Sequence, residues 1–529
     1  MYFDHHNDVI CAPATIPGTG AIAVIRVSGE ACFEVADAVV SCRKGRLADA
    51  PGYTIKFGIV EGLDEVLVSV FRAPHSYTGE NSVEISCHAS SYIVTAVLER
   101  LYAAGARAAE PGEFTRRAFL NGKMDLAQAE AVADVIASSN AAAHRVALAQ
   151  LKGGFSSELK SMRDELLHIV SLMELELDFS EEEVEFADRR ELVSLLERVV
   201  GHISSLVDSF HLGNAIKNGV PVAIVGATNT GKSTLLNALL GEERAIVSDV
   251  HGTTRDTIEE TYNIGGVLFR FIDTAGLRTT DETVEKIGIE RTLRKLHDAS
   301  VVLVMLDVSR SKEELSATLD EIVPQVDFAA QKVIFLLNKV DAVTDNSFTE
   351  LRNDIISYLD NHEIASSLLA ISAKRGDGIN ALRTWLADSQ KDSVSASLDS
   401  TLVTNQRHYQ ALSDARTALC RVLNALCPTG AAGDVSVLAN SAVLGAVPTG
   451  DAYAILRADA GVPTGDSLLS DVAVPTGDVS AILHTDAVVP TEFLSQDIRE
   501  AIYHLGSIVG EISTDEVLGN IFSHFCIGK

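Results

Sequence analysis

The 529-residue chain is most informative first for what it lacks. Its longest strongly apolar run, Val301 to Leu306, is far short of the ~20 residues that span a bilayer, which excludes a helical membrane protein. The first eight residues hold no Lys or Arg and no Arg precedes Arg26, so neither a secretory signal nor a transit peptide is expected. A cytoplasmic protein is expected by elimination. The seven cysteines (11, 32, 42, 87, 420, 427 and 526) form no Cys-x-x-Cys pair and are odd in number, as reduced thiols would be. Positive charge is scarce too: 43 Lys and Arg against 73 Asp and Glu leave a net charge of −30. No global attraction to nucleic acid is available at that charge. Residues 1–123 are nearly balanced, with 11 basic and 14 acidic side chains, so a polyanionic partner needs a local patch or a partner protein. What remains is ordinary for a globular protein, 47% hydrophobic and 22% charged. At ~100–200 residues per domain, the length predicts three or four domains.

The texture changes along the chain. Residues 1–123 alternate short apolar runs with Gly, Pro and Ser turns; Ala21 to Val27 and Asp64 to Phe71 read as strands of an α+β unit. From Met124 to about Leu212, Ala, Leu, Glu and Lys dominate at helical spacing. From Val220 the apolar runs Val222–Val225, Val267–Ile272, Val301–Leu306 and Val333–Leu337 alternate with helical segments, which predicts a parallel sheet covered by helices on both faces. A polar linker is expected from Ser389 to Ser400, then helices at 404–427 and 495–523. Between those helices Pro-Thr recurs at 428, 448, 463, 475 and 490, and residues 428–495 hold one Arg against eight acidic residues. The irregular spacing fits no solenoid, and a surface insertion without order or catalytic role is expected there.

Gly226-Ala227-Thr228-Asn229-Thr230-Gly231-Lys232-Ser233 matches G-x-x-x-x-G-K-[ST] and directly follows the strand Val222–Val225. In that motif backbone amides face the phosphates, Lys232 bridges their outer oxygens and Ser233 ligates Mg²⁺. Asp273-Thr274-Ala275-Gly276 ends the next apolar run, placing a carboxylate near the metal and an amide near the terminal phosphate. Asn338-Lys339-Val340-Asp341 ends another; its Asp accepts two hydrogen bonds from guanine and would stay unpaired against adenine. Ser372-Ala373-Lys374 supports the base. Gly252-Thr253-Thr254-Arg255-Asp256 sits where a switch should lie, Thr254 being the expected second hydroxyl on Mg²⁺. Residue 277 is Leu, not the water-orienting Gln of Ras-like enzymes, and no arginine finger in cis is evident. A monovalent cation could supply that charge, with Asn229 its natural ligand.

With these residues in hand, the chain resembles the tRNA uridine-5-carboxymethylaminomethyl modification GTPases, the MnmE or TrmE family, over nearly its whole length except 428–495. The most specific matching stretches are Tyr77 to Glu80, Pro111 to Lys123, Asp125 to Ala131, Asp273 to Arg291 and the end Phe525-Cys526-Ile527-Gly528-Lys529. Thr228 stands where the family usually has Pro. The resemblance implies a multidomain α/β protein: a tetrahydrofolate-binding and dimerising α+β domain (1–123), a helical domain (124–218, then 391–427 and 496–529), and a Ras-like P-loop GTPase domain inserted into it (219–390). It implies potassium-stimulated GTP hydrolysis and a homodimer. It also implies an FAD-dependent partner, MnmG, in a heterotetramer or larger, and a tRNA substrate modified at carbon 5 of wobble uridine 34 with a folate one-carbon unit (5-formyl or methylene form).

Carried onto this chain, the GTP contacts are Asn229, Thr230, Gly231, Lys232, Ser233 and Thr234, then Ser248, Asp249, Val250, His251, Gly252, Thr253 and Thr254. They continue with Asp273, Thr274, Ala275 and Gly276, and with Asn338, Lys339, Asp341, Ser372, Ala373 and Lys374. Magnesium would sit on Ser233 and Thr254; potassium on Asn229, Ser248, Val250 and Thr253. Glu285 corresponds to the water-activating acid and Cys526 to a functional thiol. Arg26, Glu84, Lys123 and Lys529 correspond to folate-binding positions, Arg and Lys suiting carboxylates and Glu the pterin donors. The alternatives are a GTP-dependent ribosome-assembly switch, weakened by acidic or near-neutral appendages, and a scaffold that binds GTP without useful turnover.

Overall fold

The computed structural model describes residues 8–178, 189–240, 260–272, 296, 299–364, 367–397, 401–426, 491–512, 515–523, 525 and 528. The N-terminal part folds first around a seven-stranded sheet of order β3-β4-β5-β6-β2-β1-β7. Its strands are β1 (Ile10–Pro13), β2 (Ile22–Ser28), β3 (Ser41–Cys42), β4 (Thr54–Val60), β5 (Asp64–Phe71), β6 (Ser82–His88) and β7 (Arg107–Ala108). Helices α1 (Cys32–Val39) and α2 (Ser91–Ala103) cover one face, where Val27, Ile25, Val68, Val83 and Ile85 meet Phe33, Ala36, Val97 and Leu101. Alternation along a strand sends the other side chains to the opposite face. There Ile55, Phe57 and Ile59 of β4, Leu67 of β5 and Ile22 of β2 stand exposed. Helix α3 (Glu113–Leu120) leads to α4 (Leu126–Ala137), whose start is fixed by a capping box: Asp125 Oδ1 accepts from Gln128 N at 2.8 Å and Gln128 Oε1 accepts from Asp125 N at 3.0 Å.

Helices α5 (Ala141–Leu151), α6 (Gly154–Asp178), α7 (Arg189–Asp208) and α8 (Phe210–Asn218) carry the chain to the second sheet. That sheet has the order β13-β12-β11-β8-β10-β9. Its strands are β8 (Val220–Val225), β9 (Glu260–Ile264), β10 (Val267–Ile272), β11 (Val301–Asp307), β12 (Lys332–Asn338) and β13 (Ser367–Ala370). The helices described beside it are α9 (Lys232–Leu240), α10 (Lys312–Ile322), α11 (Asp345–Asn361) and α12 (Ile379–Ser397). Every residue of β11 is buried, each large apolar side chain contributing roughly 1.5–3 kcal/mol of transfer free energy. The pairing is parallel except at the edge, where β9 runs antiparallel to β10. The half-polar β9 has no apolar run to announce it, which is why the sequence predicts an all-parallel sheet.

After the second sheet, α13 (Gln406–Leu426), α14 (Thr491–Val509) and α15 (Asp515–Ser523) return to the helices that preceded it. Leu166 and Ile169 of α6, Leu196 and Ile203 of α7, Leu412 and Leu419 of α13, and Ile498 and Leu505 of α14 close one core. The α/β unit is therefore inserted into a helical domain built from both sides of it. Three expectations are corrected. The linker expected from Ser389 is helical through Ser397, because no Gly or Pro interrupts 379–397. Helix α14 begins at Thr491, inside the insertion's expected 428–495, because Leu494 and Ile498 already share a buried face one turn apart. The helix expected across 495–523 breaks after Val509, where Gly510 takes the left-handed φ of +85° that ends a helix. The Pro-Thr pairs at 428, 448, 463 and 475 lie outside the described residues.

Candidate functional site

The strand order reverses between β8 and its neighbours β10 and β11, and in such sheets ligands bind beyond the carboxyl ends of the strands at that point. Residues 226–231 form the loop there, between β8 and α9. Asn229 holds a left-handed backbone, φ +63°, and Gly231 one of φ +100°. A Cβ on Gly231 would stand 2.5 Å from Asn338 Nδ2, so only glycine fits. That closeness has a use. Asn338 Nδ2 donates to the Thr230 carbonyl at 2.7 Å while its Oδ1 accepts from Ala373 N at 3.0 Å. One buried side-chain amide thus ties the phosphate loop to the Ser372-Ala373-Lys374 segment. Thr230 adds an internal brace, its hydroxyl donating to the Ala227 carbonyl at 2.9 Å. Ser233 and Thr234 occupy the first turn of α9, Thr234 exposed.

Lys232 Nζ donates to the carbonyls of Gly226 (2.7 Å) and Ala227 (3.0 Å), and burial followed by the nearby Arg310 charge lowers its pKa. Asp341 accepts from the Ser372 hydroxyl at 2.6 Å, and that bond holds its carboxyl below the usual carboxylate range. Lys339, in a left-handed backbone of φ +67°, donates from Nζ to Asp307 Oδ2 at 2.6 Å. Lys374 is exposed beside them. The expected loop, base-recognition and base-support residues are therefore brought together. Residues 248–254, 273–276 and Glu285 lie outside the described residues.

Asp307 is a residue that motif reading misses. It ends β11 opposite Asn338 in the β11–β12 register. Burial works against its ionisation, yet Lys339 and Ser309 hold its carboxyl below the usual range. The signal available in the sequence is its position: the one charged residue closing the longest apolar run, at the carboxyl end of a central strand.

A second constellation lies on the open face of the N-terminal sheet. Arg26 and Glu84 face each other in the β2–β6 register, and Arg26 Nε and Nη2 donate to Glu84 Oε1 at 3.1 and 2.9 Å. The guanidinium stands 5.0 Å from the Tyr77 ring centre and 5.6 Å from that of Phe114, within cation–π range. Its Nη1 donates to the Gly528 carbonyl at 3.4 Å, so the end of the chain returns to this strand. Phe522 and Phe525 anchor that return by packing with Leu126 and Ala129. Cys526 and Lys529 lie outside the described residues. Lys123 Nζ donates to the Pro74 carbonyl at 2.9 Å, and among the described residues no hydrogen bond joins it to Arg26 or Glu84. Behind the site, nearly buried Arg117 pairs with Asp8 (2.5 Å), Glu113 (3.1 Å) and Glu80 (3.3 Å), and Glu80 accepts from Ser28 Oγ at 2.8 Å. This network explains the dense charge of 110–117, to which the sequence alone assigns no role.

Among the described residues no helix is long and apolar enough to cross a membrane. Residues 9–123 match the family described as GTP-binding protein TrmE N-terminus, and residues 126–439 that described as MnmE helical domain. The chain is 46% identical over 528 residues to the tRNA modification GTPase MnmE of Parabacteroides distasonis, covering 98% of this chain and 99% of that protein. It is likewise 46% identical over 530 residues to that of Bacteroides fragilis, covering 99% and 100%. The corresponding protein of Cytophaga hutchinsonii is 44% identical over 533 residues, covering 99% and 98%.

Proposed function

The chain belongs to the MnmE family of tRNA modification GTPases, and from that premise we propose a potassium-stimulated GTP hydrolase that serves modification of the wobble uridine, position 34, of certain tRNAs. The product is a (carboxymethyl)aminomethyl group at carbon 5, made in the cytoplasm together with an FAD-dependent partner, MnmG. The observation that carries the reading is the Asn338 bridge between Thr230 and Ala373, which joins phosphate binding to guanine binding in one rigid unit. Asp341 then accepts from the guanine edge, Ser372 holding its carboxylate in place. An adenine edge would offer that carboxylate no matching pair of donors.

Ser233 with Thr254 would hold magnesium, which neutralises developing phosphate charge when bound. Asn229, with Ser248, Val250 and Thr253, would hold potassium; its left-handed backbone supports this by turning the loop sharply at the residue before Thr230. Glu285 activates the attacking water through a second water, a role left open because residue 277 is Leu.

Arg26, Glu84, Lys123 and Lys529 bind the folate, which supplies the one-carbon unit. Arg26 is well placed for this, held between Tyr77 and Phe114 and already paired to Glu84, so both charges are oriented beside flat aromatic surface. The return of Gly528 to Arg26 supports a role for Cys526, two residues away in sequence, at the same site. Exposed Ile55, Phe57, Ile59 and Leu67 form an apolar face continuous with it, which supports a homodimer through this sheet and a heterotetramer or larger with the flavoprotein.

The test is hydrolysis by the purified full chain. Turnover is expected to be faster in KCl than in NaCl, and Glu285→Ala is expected to bind GTP yet lose most turnover. Equal rates in the two salts would remove the cation role of Asn229, and unchanged turnover in the variant would remove Glu285.

A further inference from the structure

After Asp307 the chain turns sharply, with Ser309 N and Oγ donating to Asp307 Oδ1 and Arg310 N donating to the Asp307 carbonyl at 3.1 Å. The turn sends Arg310 back over the phosphate loop, 82 residues earlier in the chain. Its Nη2 donates to the Thr228 carbonyl at 2.6 Å, and its Nε lies 3.7 Å from Asp307 Oδ2. Lys232 already takes the carbonyls of Gly226 and Ala227. Two cations thus share three successive carbonyls of one loop, and the Arg310 charge opposes that of Lys232. Lys339 brings a third cation, and the carboxylate that serves both Lys339 and Arg310 is Asp307. Among the described residues the cluster carries more positive than negative charge, and an anion at the outer end of the loop, where Lys232 reaches the terminal phosphates, would relieve it.

We propose that Arg310 is a phosphate-facing arginine supplied in cis, which favours guanosine triphosphate over diphosphate by adding a second cation beside Lys232 at the outer phosphate oxygens. Asp307 is its positioning residue, orienting the guanidinium through the turn. Thr228, whose carbonyl Arg310 takes, holds that side chain over the loop until the nucleotide arrives. This deepens the GTPase reading and rests on it, but not on the potassium site.

The experiment compares full-length wild type, Arg310→Ala, Arg310→Gln and Arg310→Lys by fluorescence titration with labelled GDP and a labelled non-hydrolysable GTP analogue. A charge-assisted bond to phosphate predicts that Arg310→Ala and Arg310→Gln bind the triphosphate analogue about tenfold more weakly and GDP within about twofold of wild type. Arg310→Lys keeps the charge and is expected to restore most of the preference. Equal weakening toward both nucleotides would make Arg310 a loop anchor only and overturn the proposal, as would an unchanged ratio in Arg310→Gln. Should Arg310→Ala bind neither nucleotide, the Gln and Lys variants decide by the same ratio. A wild-type chain that binds neither guanine nucleotide would instead defeat the GTPase reading itself.

Discussion

Replacing Glu130 by Gln should loosen the joint that connects both halves of the helical domain. Glu130, on α4, is nearly buried and receives Arg407 Nε and Nη2 at 3.0 Å each, with His408 Nε2 2.6 Å from its Oε2. Arg407 also donates to the carbonyls of Ser507 (2.8 Å) and Ile508 (3.0 Å), satisfying the C-terminal end of α14. Burial works against the Glu130 carboxylate, but His408 and Arg407 bring its pKa from 4.5 down to about 2. At 1.36 kcal/mol per pKa unit the difference corresponds to roughly 3 kcal/mol favouring the charged form in the folded state. Gln keeps the volume and loses the charge, so about 3 kcal/mol of local stability should go with it, in line with removing one partner of a buried pair. Amides in Leu126–Ala137, at the start of α13 and at the end of α14 should then exchange about a hundredfold faster at neutral pH. A folded pKa below the unfolded one stabilises above pH 4.5 and loses its contribution as the pH falls from there toward 2. Wild type should therefore approach Glu130→Gln as the pH falls below 4.5, and not as it rises. Exchange in the variant within about threefold of wild type, or a gap that stays constant with falling pH, would refute the reasoning.

Three further outcomes are expected. Gly231→Ala should abolish tight guanine-nucleotide binding, since its Cβ would push Asn338 off Thr230 and the backbone is left-handed; calorimetry with GDP measures it. Asp341→Asn should weaken GDP binding by about tenfold or more through loss of the charged acceptor, with the melting curve nearly unchanged because an amide oxygen can still accept from the Ser372 hydroxyl. Phe57→Lys, on the exposed face of the N-terminal sheet, should split the proposed homodimer into monomers in sedimentation without altering the buried core of α1 and α2.

The phosphate loop, the guanine motif and the strands that carry them are legible in the sequence because each is a contiguous segment whose chemistry demands a fixed spacing. The apolar runs of β8, β10, β11 and β12 announce themselves for the same reason. Strands β9 and β13, at the sheet edges, do not: β9 is half-polar and β13 is only four residues long. Asp307 and Arg310 are invisible as site residues because strand adjacency, not sequence distance, sets them against Lys339 and Thr228. The return of the chain end to Arg26 is of the same kind: it depends on Phe522 and Phe525 finding Leu126, far away along the chain. Helix ends go astray where polarity alone suggests a linker, since polar residues without Gly or Pro continue a helix as readily as they leave it.

The most direct test of the whole account is mass spectrometry of tRNA nucleosides from a deletion strain carrying either the wild-type chain or Cys526→Ser. The wild-type chain is expected to restore the carbon-5-modified wobble uridine and the Cys variant is not. A wild-type chain that is folded and binds GTP yet restores no modified uridine would contradict it.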